Sequence, residues 1–137
     1  MKQQITLIIL FISLILPLAS VFAQSAKDGK EPDPESMTTY YMAFLRRGPD
    51  RSHDSLTAAK IQEGHMAHIN KLAEEKKLVL AGPFLDNGDL RGIFVFSVSS
   101  LEEAFELTLQ DPAVKSGRLT MEILPWYGPS KLREIKW

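Results

Sequence analysis

The sequence predicts a small α+β domain with the element order β-α-β-β-α-β, and three observations carry that prediction. Apolar residues recur at helical spacing through one proline-free stretch, about 55–77. Four short apolar or alternating runs, at 38–45, 78–81, 93–98 and 119–124, have the length and composition of strands. A capping box, Ser100-Leu-Glu-Glu103, opens a second helix between the last two runs.

The first run, Thr38-Thr-Tyr-Tyr-Met-Ala-Phe-Leu45, is apolar or aromatic on both alternating faces, as a central strand covered on each side would be. Arg46-Arg-Gly-Pro-Asp-Arg-Ser52 then supplies loop residues before the first helix. The second and third runs flank Asp86-Asn-Gly-Asp89, whose Asn-Gly pair suits positive φ in a tight turn, so they are expected to form a hairpin. In the second helix Leu101, Ala104, Phe105 and Thr108 fall along one face. Asp111-Pro112 ends that helix, because a proline cannot continue it, and the chain is expected to turn at Gly117.

Two β-α-β halves with a hairpin between them give a ferredoxin-like antiparallel sheet with two helices on one face. The other face is then bare. If one of the sets Tyr41, Ala43, Leu45, Phe94, Phe96 and Tyr40, Met42, Phe44, Ile93, Val95 faces the helices, the other forms an apolar patch. That patch predicts a homodimer joined sheet to sheet.

The 137 residues are 45% hydrophobic and 24% charged, with a formal net charge of -1, which is ordinary composition for one globular domain and offers no basic face for nucleic acid. Residues 1–23 differ from the rest. Lys2 precedes an apolar run free of ionisable side chains, Pro17 breaks it, and Ala19, Ser20 and Ala23 supply the small residues of a signal peptide cut after Ala23. The expected mature protein is periplasmic or secreted and off the membrane, an uncleaved anchor being the competing reading. Residues 24–36 are expected to be a flexible linker, 37–128 the domain, and 129–137 a C-terminal tail. There is no cysteine, so neither disulfides nor a lipidated N-terminal cysteine enters the account.

Among the three histidines, His65 stands apart: Ala58, Ile61, Ile69 and Leu72 all lie within roughly 40° of it around the helix, at the centre of the apolar stripe. His68 lies at the rim and His53 in the preceding loop. Burial disfavours a charged imidazole unless a carboxylate or carbonyl compensates, so His65 is either satisfied by a backbone carbonyl or functional. Asp111, directly before Pro112, has the composition of a helix cap. Spacing alone does not pair the two.

Six motifs carry a family resemblance, and it is that resemblance which implies a pair. Gly64-His65-Met66, Leu78-Val-Leu-Ala-Gly82-Pro83 and Asp111-Pro112-Ala113-Val114, with Phe44-Leu-Arg-Arg-Gly-Pro49, Arg91-Gly-Ile-Phe94 and Pro125-Trp-Tyr-Gly-Pro129, resemble the YCII-related (YciI-like) family over about residues 40–128. The resemblance implies a dimeric α+β barrel and a His-Asp active-site pair, here His65 and Asp111. In such a pair the carboxylate orients the ring and fixes its tautomer, leaving the other nitrogen to move a proton. The fold group includes cofactor-free isomerases and a dehydrochlorinase acting on small cyclic or aromatic compounds, which implies proton-transfer chemistry of the isomerase or lyase type. A non-catalytic periplasmic small-ligand-binding or stress-related module fits the same residues.

Arg46, Arg91 and Trp126 are candidate ligand contacts for an anionic or aromatic molecule, the alternative for Trp126 being closure of the core. Gly82 and Pro83 shape a strand end and join the ligand site if the pocket opens there. His65 and His68 lack a third metal ligand, Asp86-Asn-Gly-Asp89 lacks the remaining ligands of a calcium loop, and Gly82, Gly88 and Gly92 make no phosphate loop. No metal or cofactor is implied.

Overall fold

A computed structural model gives the structure of residues 33–136. The expected leader, the expected cleavage point after Ala23 and most of the expected linker lie outside the described residues. After a 3-10 turn at Pro34–Ser36 come β1 (Met37–Arg47), α1 (Ser55–Glu74), β2 (Leu78–Pro83), β3 (Leu90–Phe96), α2 (Leu101–Leu109), α3 (Pro112–Lys115) and β4 (Leu119–Pro129). A second 3-10 turn follows at Ser130–Glu134. No helix among the described residues is long and apolar enough to cross a membrane.

The strands form one antiparallel sheet in the order β2-β3-β1-β4, the ferredoxin-like arrangement expected. β1 and β4, the first and last strands, pair over their whole length from Met37↔Pro129 to Arg47↔Leu119. Tyr41, Ala43, Leu45, Phe94 and Phe96 are the set turned to the helices, where they pack with Ile69, Leu72, Leu78, Ala104 and Leu107. Phe94 and Phe96 meet edge to face at 5.8 Å, and each contributes about 1.5–3 kcal/mol by its burial.

Local chemistry sets the element ends. Asp54 caps α1 by accepting from the Thr57 N–H at 2.8 Å. The helix closes three residues before the periodic pattern does, because Lys76, at φ 59°, reverses the chain while its N–H bonds Ala73 and that of Lys77 bonds Leu72. Ser100 caps α2 through the Glu103 N–H, but Glu103 reaches back to the N–H and hydroxyl of Ser99 rather than to Ser100. The buried stripe of α2 is Ala104, Leu107 and Thr108; Leu101 and Phe105, expected on that face, are 39% and 48% exposed.

The β2–β3 hairpin forms, but without the expected positive φ, which among the described residues occurs only at Lys76 and Gly117. The connection spans residues 84–89, long enough to turn in ordinary conformations, and the Asn87 and Gly88 carbonyls accept from Arg47. The expected turn at Gly117 does use φ +71°.

The second sheet face carries Tyr40, Val79 and Val95, all buried, with Met42, Leu80 and Leu132 against them. Leu132, in the stretch expected to be a tail, therefore packs on the domain. The Tyr40 hydroxyl donates to Pro129 O at 2.9 Å, Trp126 lies 5.9 Å from its ring, and Arg133 sits over it at 5.7 Å. Burial pushes the Tyr40 phenol up from its ordinary value, with the Arg133 charge acting against it. The rest of this face is open: Leu124 is 47% exposed, and Phe44 and Ile93 are half-buried.

Candidate active site

His65 projects from the middle of α1 towards the sheet, where its ring stacks on Phe94 at 5.9 Å with 22° between planes. Its Nδ1 lies 2.7 Å from Asp111 Oδ2, across 46 residues of sequence. The Asp111 side chain is fully buried and that of His65 is 12% exposed. Asp111 divides its carboxylate between two tasks. Oδ1 accepts from the Ala113 N–H at 2.8 Å and so caps α3, with Pro112 at its first position, while Oδ2 faces the imidazole. A buried carboxylate needs partners for both oxygens, and these two supply them.

Gly64 makes the contact possible. A Cβ there would come within 2.9 Å of the Pro112 ring, so the missing side chain lets α3 approach α1 closely enough for His65 to reach Asp111. Ordinary contact begins several tenths of an ångström farther out, and a proline ring cannot swing aside.

His65 lines a cavity of about 370 Å³ between α1 and the sheet, within the usual size range of small-molecule sites. Leu45, Ile61, Ile69 and Phe94 give it apolar walls. With Nδ1 engaged, Nε2 is the ring nitrogen that makes no hydrogen bond to a described residue. An Asp111 carboxylate accepts a hydrogen bond there, which makes Nδ1 the protonated nitrogen and leaves the Nε2 lone pair free.

Of the other residues expected at a site, Gly82, Pro83 and Arg91 line this cavity. Arg91 owes its place to a bulge: β1 residues Leu45 and Arg46 pair with Gly92 and Leu90, so Arg91 is the extra residue and escapes the alternation that would turn it to the opposite face. Arg46 and Trp126 lie elsewhere. Arg46 bonds Asp89 at 3.2 Å and approaches Glu122 at 4.0 Å, while Trp126 packs on Tyr40 across the sheet from the helices. Neither lines the cavity.

The sequence reading missed Arg51 and Arg118, which stand on the cavity wall. They come together because β1 and β4 are antiparallel neighbours, which brings the loop leaving β1 to the turn entering β4. Gly48 N donates to Arg118 O at 2.8 Å and Asp50 N to Gly117 O at 3.1 Å. Strand order was the signal that would have found them; no motif contains both.

His68 and His53 belong to other contacts. His68 Nε2 is 2.9 Å from Leu107 O, and His53 Nδ1 is buried 3.6 Å from Asp50 Oδ1. Among the described residues no three His, Asp or Glu side chains converge as a metal site would require.

Fold and site together define an α+β domain with a hydrogen-bonded imidazole and carboxylate beside a small cavity. The YCII-related domain model matches residues 39–127, and the chain belongs to that family. It is 40% identical over 63 residues to the uncharacterised protein YjpA of Bacillus subtilis (strain 168), spanning 46% of this chain and 72% of that one. It is also similar, at 20% identity and a TM-score of 0.48, to 5-chloro-2-hydroxyhydroquinone dehydrochlorinase from Burkholderia phenoliruptrix AC1100, solved with 2,5-dihydroxybenzoquinone. That likeness covers 65% of this chain and 93% of the dehydrochlorinase.

Proposed function

We propose that the cavity is a cofactor-free active site in which His65 moves a proton on a small cyclic or aromatic compound, in a reaction of the isomerase or lyase type. One observation carries the reading: the 2.7 Å contact between His65 Nδ1 and a fully buried Asp111 oxygen, beside a cavity. Asp111 holds the ring in the tautomer whose Nε2 takes a proton from an acidic C–H or O–H of the ligand. The imidazolium so formed is stabilised by the same carboxylate. Returning the proton to a different ligand atom completes an isomerisation; in an elimination the electron pair of the broken C–H or O–H bond expels the leaving group, and the imidazolium hands its proton to that departing group. His65 acts as acid and base, not as nucleophile, and the apolar walls limit competing water.

Export and assembly belong to the same proposal. The protein is released as a periplasmic or secreted homodimer after cleavage behind Ala23, with the open part of the sheet face, Phe44, Ile93 and Leu124, meeting its copy. Mass spectrometry of the secreted protein and sedimentation at micromolar concentration test these points, a retained leader or a monomer counting against them.

The chemistry is tested by incubating the purified protein in D2O with a panel of cyclic ketones and lactones and following the loss of α-proton signals by NMR. Catalysed exchange that disappears in His65→Gln is expected, since general acid-base groups contribute about 10²–10⁴-fold. Exchange as fast in the variant as in the wild type overturns the assignment. Bound ligands that shift the His65 signals yet never exchange would identify a binding module instead.

A further inference from the structure

Three arginines line the cavity that holds His65: Arg51 from the loop after β1, Arg91 from the bulge in β3, and Arg118 from the turn before β4. No aspartate or glutamate stands among the lining residues; Asp111 lies behind the imidazole, committed to it and to the α3 cap. Among the described residues none of the three arginines has a carboxylate oxygen within 4.0 Å, whereas Arg46, on the far side of the sheet, has two such partners. Asp50 is the acid that Arg118 influences, and its Oδ1 is occupied by the hydroxyl and N–H of Ser52.

What Arg51 and Arg91 touch is backbone. Arg51 Nη1 donates to Arg118 O at 3.1 Å, and Arg91 Nη1 donates to Asp86 O at 3.2 Å and Gly88 O at 3.4 Å. These contacts position the Arg51 and Arg91 guanidinium groups without neutralising them, and each keeps further N–H donors to offer. Three cations, from two loops and a strand bulge, stand around one cavity, and, although Asp50 acts on Arg118 at a distance, no carboxylate among the described residues pairs with any of them. An anion would.

We infer that the cavity recognises a small organic anion, held at a carboxylate, enolate or phenolate oxygen by Arg91 and Arg118 with Arg51 beside them, its uncharged body against the apolar walls. The inference deepens the proton-transfer reading above by naming the substrate class, but the recognition it describes does not depend on His65. A ring bearing one or two acidic oxygens fits the volume of about 370 Å³. The guanidinium fork bonds such oxygens in pairs, and a low-dielectric wall strengthens each bond. Positive charge at the cavity also stabilises the negative charge that grows on the ligand when a proton leaves it.

The probes are benzoate, salicylate and phthalate, with uncharged benzamide as the matched control, each titrated into purified protein at low ionic strength and followed by NMR. At least one of the anions should bind tenfold or more tightly than benzamide, with the advantage shrinking as salt is added. Arg91→Gln and Arg118→Gln should each weaken the anion about tenfold while leaving benzamide unchanged, as loss of a charge-assisted bond implies. Arg46→Gln should change nothing, and thermal melts check that each variant is folded. Anions that bind no better than benzamide, or an anion affinity that survives the Arg91→Gln/Arg118→Gln double substitution, would overturn the inference. His65→Gln separates the two claims. Anion binding retained in that variant upholds recognition whatever becomes of the chemistry, and catalysed exchange on neutral compounds alone would leave the chemistry standing and remove the anion.

Discussion

Replacing Asp111 by asparagine keeps nearly every atom in place and exchanges one oxygen for an amino group, which makes it the sharpest perturbation of the site. The α3 cap needs an oxygen facing the Ala113 N–H, so the asparagine carbonyl takes the Oδ1 position and its NH2 group is left facing His65 Nδ1. The NH2 group can only donate, so the ring must accept at Nδ1 and carry its proton on Nε2. The base that faces the cavity is lost while the fold survives. Because the cap persists, Asp111→Asn should cost only about 1 kcal/mol, the difference between a charge-assisted and a neutral hydrogen bond. Asp111→Ala removes the cap, at about 1 kcal/mol, and strands a buried N–H and an imidazole nitrogen, for a total of about 2–4 kcal/mol. On a domain of about a hundred residues that separates the two variants by roughly 5–20 °C in melting temperature. Thermal melts give the first quantity and ring 15N shifts of His65 at neutral pH give the second. A wild-type tautomer in Asp111→Asn, or equal melting of the two variants, would refute the division of labour between the two oxygens.

Three further expectations rest on separate contacts. Gly64→Ala should fail to deliver the gain of about 1 kcal/mol that alanine normally brings to a helix, because its Cβ meets Pro112, and the His65 ring signals should shift as α3 is pushed away; a more stable protein with unchanged His65 signals would contradict this. Lys76→Gly should raise stability by about 0.5–1 kcal/mol, since the residue sits at φ 59°, and denaturant melts check it. Ser52 holds the Asp50 carboxyl, Thr57 that of Asp54 and Ser99 that of Glu103 below their ordinary values. With folded values depressed, their contribution is complete above about pH 4–5 and is lost as pH falls through the folded values. Melts between pH 6 and pH 2.5 should be flat and then fall, the fall being shallower in a Ser52→Ala/Ser99→Ala variant.

The order of elements was legible because it depends on local pattern: an apolar stripe without proline, a capping box, an Asp-Pro stop. The boundary of α1 was not, since a lysine stands where the left-handed residue of a helix end is usually glycine, and nothing in its side chain announces the conformation. His65 could be placed at the core face by arithmetic on the helix. Its partner could not, because 46 residues separate them and Asp111 carries the composition of a cap, which it also is. Arg91 was expected at the site and Arg51 and Arg118 were not. All three owe their positions to pairing, through a bulge and through the neighbouring ends of β1 and β4, and pairing is invisible to single-residue pattern. Trp126 shows the converse: an aromatic residue near a terminus reads equally as ligand contact or as cover, and Tyr40 claims it.

The pairing of β1 with β4 also governs when the domain can come into being. Met37 is matched to Pro129, and the Tyr40 hydroxyl is satisfied by carbonyls 89 and 90 residues away. A ribosome that has made three of the four strands has produced one whose longest partner does not yet exist, and whose buried tyrosine has no acceptor. Folding must therefore wait for β4 and Ser130, and loop-closure entropy makes it slow once they arrive. No shortened version ending before β4 can be expected to hold even the first strand in place.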